Sequence, residues 1–167
     1  VDDLVEEPSI FIRGNSIYTI VDGPSWTEAE ANSNKLGGHL VSINSQEENE
    51  FLSVFDNGNP LDSSNWRWIG FSDKEIEGDW KWSSGDEVTF KGWTGPQPDN
   101  NVDWTSPNGQ DFAAIHWGNG IDYSAWDDKS ELEDYFSNNG ISESKFIRRG
   151  NSAYVIVEGP TWEEAEA

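Results

Sequence analysis

The spacing of apolar positions along the chain changes character more than once. Apolar and polar residues alternate over 10–13 and again over 16–21 about Gly14-Asn15, the period of two expected of a β-hairpin around a tight turn. A longer period follows. Ser25-x-x-Glu28 has the form of a capping box, and Trp26, Ala29 and Leu36 fall on one helical face that ends at Gly37-Gly38. Residues 39–43 have strand character, after which Ser45-x-x-Glu48 repeats the capping box and opens a helix that turns Phe51, Leu52 and Phe55 inward. Beyond Gly58 the helical period disappears. Short strands are predicted at 68–71, 80–82, 112–117 and 124–126, separated by long loops rich in Gly, Pro, Asn and Asp, with a last strand at 140–147. Helices first and strands afterwards give an α+β fold rather than alternating βαβ units.

The opening pattern returns near the end of the chain. Residues 14–31, GNSIYTIVDGPSWTEAEA, reappear as residues 150–167, GNSAYVIVEGPTWEEAEA, with 13 of 18 positions identical. The second copy stops as its helix should begin. The expected division is an acidic leader or linker at 1–8, one full unit at 9–147, and the hairpin and helix start of a second, truncated repeat at 148–167. Neighbouring repeats of the same array are therefore expected partners, touching without a linker, as suits a surface or matrix protein.

Composition narrows the partners. Aromatic residues make up 13% of the chain, enough for a substantial core although only 34% is hydrophobic. A formal charge of −22 repels nucleic acid and anionic membrane surfaces and makes cations the natural partners. The absence of Cys removes disulfides, thiolate zinc sites and cysteine nucleophiles together. No run approaches the 18 or so apolar residues of a spanning helix, so membrane insertion is not expected.

Several landmarks then stand in register. Trp26 and Ala29 lie on the first helix, followed by Gly38-His39-Leu40-Val41-Ser42-Ile43, Trp68-Ile69-Gly70-Phe71, Glu77-Gly78-Asp79-Trp80-Lys81-Trp82, Trp93, Gln97-Pro98-Asp99 and Trp126-Asp127-Asp128. In order and spacing, about residues 9–147 resemble the C-type lectin-like domain, of a cysteine-free, bacterial-type tandem-repeat form with a Gln-Pro-Asp motif. The resemblance implies two helices, an antiparallel sheet whose terminal strands pair, and a long loop region that binds calcium. It also implies a cis peptide at Gln97-Pro98, a geometry that proline makes accessible.

Carried over position by position, the resemblance makes Gln97, Asp99, Gln110, Asp127 and Asp128 the ligands of one Ca2+ that also takes two sugar hydroxyls. Oxygens from carboxylates, amides and carbonyls suit that ion. Two positions depart from the usual family pattern, Gln110 for Glu and Asp127 for Asn. Gln97 with Asp99 and Gln110 with Asp127 still give each hydroxyl one donor and one acceptor. The Gln-Pro-Asp order resembles galactose-type members, for which Trp104 is the candidate stacking ring. A second, structural Ca2+ is implied at Asp73, Glu77, Asn100, Gln110 and Asp111.

Plainer readings account for other residues. Pro, Asp and Asn at 96–100 also suit a solvated turn. The tryptophans at 26, 68, 80, 82, 93 and 126 are expected to anchor core and loops, and His39 and His116 to be structural. The acids near the start and at 131–134 look like solvated charge. No acid stands in an apolar sequence context that would raise its pKa, and no nucleophile with a base appears, so catalysis is not expected. The resulting expectation is calcium-dependent carbohydrate binding outside the cell, where weak calcium sites fill. The alternative is an adhesion module that uses calcium only for stiffness and meets a protein or another surface.

Overall fold

The computed structural model of the chain describes residues 10–23, 25–53, 66–102, 109–115, 124–131 and 152–158, the last as backbone only. The predicted strand at 140–147, Phe55, Trp104 and His116 lie outside these residues.

The predicted hairpin forms. β1 (Ile10–Arg13) pairs antiparallel with β2 (Ser16–Asp22), Ile12 opposite Ile17, and Gly14 takes the left-handed φ of 61° that the turn needs. Ser25 caps α1 (Trp26–Lys35), its Oγ accepting the Glu28 N–H at 3.2 Å. The buried face of α1 is Ala29 and Ser33 rather than the expected stripe ending in Leu36. Leu36 is the C-cap, past the last turn, and stands 52% exposed. Small residues face inward because the helix lies close against Gly23, where any side chain would overlap Ala29. β3 (His39–Leu40) is shorter than predicted, and α2 (Gln46–Ser53) opens on the second capping box, Ser45 Oγ accepting the Glu48 N–H at 3.2 Å.

The remaining strands are β4 (Arg67–Ser72), β5 (Lys81–Trp82), β6 (Phe112–Ile115), β7 (Trp126–Lys129) and β8 (Ser152–Glu158). They complete the expected α+β architecture. The sheet runs β1-β2-β8-β4-β6-β7, with β3 on β8 and β5 on β4, and all pairings are antiparallel except β4 with β8. The last predicted strand of the loop region starts where it was expected to end, at Trp126, and carries Asp127 and Asp128 along β6. β8 comes from the second copy of the repeat. It pairs with β2 over seven positions, Thr19 opposite Val155 at the centre, so one sequence pattern pairs with its own repetition.

Both faces of the central strands are buried. Ile69 and Phe71 of β4, with Ala113 and Ile115 of β6, pack into a cluster with Leu52 of α2 and the rings of Trp80, Trp82 and Trp126. Trp68, Phe112 and Ala114 point the other way, onto Ala29 of α1. All six tryptophans expected as anchors are buried or half-buried. His39 is structural as expected, its Nδ1 2.6 Å from Glu30 Oε1, while Glu30 Oε2 accepts the Leu40 N–H at 2.9 Å.

Candidate functional site

Trp126 fixes the floor of the loop region. Its indole N–H donates to Asn49 Oδ1 at 2.8 Å, and Asn49 in turn donates to the Ser124 carbonyl at 2.8 Å. The Trp126 amide donates to the Gly92 carbonyl at 2.9 Å and its own carbonyl accepts from the Thr94 amide at 3.1 Å, so residues 92–94 run beside the start of β7. A turn closed by the Gln97 amide on the Thr94 carbonyl, 3.0 Å, then delivers Gln97-Pro98-Asp99 next to Asp127 and Asp128. The Gln97-Pro98 peptide is cis, as the resemblance implied.

Asp128 is fully buried and receives two successive backbone amides, that of Asp99 on Oδ1 at 3.1 Å and that of Asn100 on Oδ2 at 2.7 Å. Asn100 and Gln110 tie the two legs of the loop together. The Gln110 amide donates to Asn100 Oδ1 at 2.7 Å, and Gln110 Oε1 accepts the Asn101 amide at 3.0 Å. Gly109 permits this approach, with φ of 99° and no room for a side chain against Asn100 Oδ1. The Asp73 amide donates to the Asp111 carbonyl at 3.1 Å and so joins the loop to the end of β4. Glu77 is exposed nearby.

Two buried oxygens of this region have no hydrogen-bond partner, Gln97 Oε1 and Asp73 Oδ1. The other oxygen of Asp73 accepts the Gly78 amide at 2.9 Å. Burial pushes the Asp73 carboxyl up from its ordinary value, the Gly78 amide opposes this, and the charges of Glu77 and Asp128 add to it. Burial likewise pushes Asp127 up, offset by the Lys129 ammonium and reinforced by Asp128 and Asp99. Acids raised by burial were not expected. Asp73 follows β4 directly, with its amide on the Asp111 carbonyl, and Asp127 lies within β7, so both are buried more deeply than their polar sequence neighbours suggest.

Of the predicted ligands, Asp99 and Asn100 are tied to Asp128 and Asn100 to Gln110 by hydrogen bonds, Asp73 meets Asp111 through the backbone, and Asp127 lies within reach of the charges of Asp99 and Asp128. Among the described residues no group of three or more His, Cys, Asp or Glu is arranged to hold a metal ion, and both oxygens of Asp128 accept backbone amides. A cleft of about 320 Å³ opens beside the Thr94 turn, lined in part by Phe90, Lys91, Trp93 and Ser124. Trp104 lies outside the described residues.

Two residues of the region were misread or missed. Glu131, taken for solvated charge, is 5% exposed and accepts the Thr27 amide at 2.7 Å, capping α1 from across the fold. Lys129 was not singled out, yet its ammonium sits on Asp127 Oδ2.

Comparison with known proteins places the chain. Residues 22–130 match the Lectin C-type domain. The chain is 39% identical over 84 residues to the type-2 ice-structuring protein of Hemitripterus americanus, covering 50% of this chain and 47% of that protein. It is 34% identical over 111 residues to the galactose-specific lectin nattectin of Thalassophryne nattereri, covering 65% and 69%. Among solved structures, human lithostathine superposes with a TM-score of 0.66 at 20% identity, covering 90% of this chain and 88% of that one. The chain thus spans about half the length of one of these relatives and about two thirds of the other. Among the described residues no helix is long and apolar enough to cross a membrane.

Proposed function

The chain belongs to the C-type lectin domain family, a family of binding domains and not of enzymes, and from that premise we propose that it binds carbohydrate through a calcium ion held by the long loop. Gln97, Asp99, Gln110, Asp127 and Asp128 would hold the ion and orient the sugar hydroxyls. Asp73, Glu77, Asn100, Gln110 and Asp111 would hold a second ion that stiffens the loop. A bound Ca2+ supplies coordination positions for two vicinal hydroxyls.

The observation that carries the reading is the pair of buried oxygens without partners, Gln97 Oε1 and Asp73 Oδ1, beside carboxylates close enough to repel one another. A buried acceptor left unpaired costs about 1–3 kcal/mol, and a divalent cation removes that cost for several acceptors at once. The galactose-specific relative and the Gln-Pro-Asp order support a galactose-type glycan. The proposed use of calcium and the repeated segment support display outside the cell, in a tandem array.

A second reading also has an observation behind it. Asp128 and Gln110 already accept backbone amides, which holds the loop together without an ion. On that reading the unit is an adhesion module that meets a protein or another surface.

Retention on galactose- and mannose-bearing surfaces, with millimolar calcium and with chelator, separates the two. We expect calcium-dependent retention that falls more than about tenfold in Asp99→Ala. Equal retention in chelator overturns the calcium reading, and binding to a protein partner without sugar competition supports the second.

A further inference from the structure

Lys129 follows Asp127 by two residues on β7, so both side chains leave the same face of the strand. Its ammonium meets Asp127 Oδ2 in a part-buried contact, with the lysine side chain 18% exposed and the aspartate 6%. Other lysines of the described residues are engaged elsewhere, Lys74 beside Glu131 and Lys81 on Asp79. The charges of Asp128 and Asp99 act on Asp127 here, and Lys129 brings positive charge to it within the fold.

We propose that Lys129 is a resident counter-ion of the calcium site, an ammonium that Ca2+ must displace from Asp127 and that thereby sets the calcium concentration at which the site fills. This rests on the calcium reading above.

Calcium binds carboxylate oxygens at about 2.3–2.6 Å. An ion at that distance from Asp127 lies within a few ångströms of an ammonium already on the same carboxylate, where little water screens their repulsion. The ammonium on Oδ2 therefore opposes an ion at Asp127, and its departure relieves that repulsion. The lysine stem is long and flexible and its end is partly exposed, so the ammonium has a route out to solvent. In the metal-free protein the same ammonium offsets the repulsion among the acids. It therefore steadies the empty loop and weakens the loop's hold on calcium.

Lys129→Met keeps the stem and removes the charge. Titration calorimetry with CaCl2 on the full chain is expected to show a Kd at least about tenfold tighter in Lys129→Met. Lys129→Arg, which keeps the charge, is expected to stay within a few-fold of the parent. The Met variant should also melt at a lower temperature than the parent in chelator, because Asp127 loses its partner. If the parent binds calcium and Lys129→Met binds it equally or more weakly, the counter-ion role is overturned while the calcium site stands. If neither protein binds calcium, the calcium site itself falls and the counter-ion role with it.

Discussion

The Tyr18 hydroxyl donates to Glu48 Oε1 at 2.8 Å inside the core, and the other oxygen of Glu48 accepts the Asn44 amide at 2.9 Å. Burial, then the Glu48 hydrogen bond and charge, pushes the Tyr18 phenol up to about 12. The folded chain thus keeps this proton after the unfolded chain has lost it. Stability from the neutral phenol is fully present below the unfolded value near pH 10 and is lost as pH rises towards about 12, a fall of about 3 kcal/mol. Tyr18→Phe should cost about 1–2 kcal/mol at neutral pH, where Glu48 is left short of a donor, and should flatten the alkaline fall. Urea unfolding at about pH 8 and about pH 11 checks both. On the calcium binding proposed above, Asp73 and Asp127 would act in the acid range instead. Burial raises both carboxyls, so protons compete with the ion above the usual carboxylate range and calcium affinity should weaken as pH drops from neutral into mild acid. In chelator the sign reverses. These two groups hold protons in the fold that the unfolded chain has released, so their contribution to stability grows as pH falls towards the ordinary carboxylate value. Calorimetric calcium titrations across that range, beside melting curves in chelator, should show the two trends running in opposite directions.

Single elements show where local pattern suffices. Both helix starts were legible because a capping box is local, its donor and acceptor three residues apart. The second cap of α1 was not, since Glu131 reaches the Thr27 amide across 104 residues of sequence and in its own neighbourhood is one acid among several. β7 was placed too early for a related reason. Asp-Asp-Lys has little intrinsic strand preference, and what makes it a strand is its pairing, Asp128 opposite Ala113 and Asp127 opposite Ala114. Once the strand is extended to Lys129, its period of two puts that lysine beside Asp127, so the counter-ion pair followed from an element boundary that sequence pattern does not set. The proposed ligand residues could be named only through the family resemblance, because no local rule joins Gln97 to Asp128. Glu131→Ala tests the long-range cap. It removes the acceptor from the first turn of α1 and the partner of Lys74, and should cost about 1–2 kcal/mol in urea unfolding, as a lost N-cap does. An unchanged midpoint would return Glu131 to the class of solvated charge.

At the scale of the whole molecule the unit closes by pairing its first long strand with a late one. β8 lies between β2 on one side and β3 and β4 on the other, so it joins the hairpin to the core sheet that carries β6, β7 and the loop. Its sequence is the repeat of β2, and the two run antiparallel with Thr19 opposite Val155. Strand β8 thus has neighbours on both edges, as β2 has with β1 and β8. Proline at the centre of such a strand removes an amide from the ladder, which is why sheets otherwise confine it to edges and bulges. Val155→Pro in the full chain should therefore lower the melting temperature of the whole unit in one cooperative transition, and with it the calcium affinity, although residue 155 lies far in sequence from every proposed ligand. If the melting curve of Val155→Pro overlays that of the parent, the segment is dispensable to this unit, and another stretch of the chain must close the sheet.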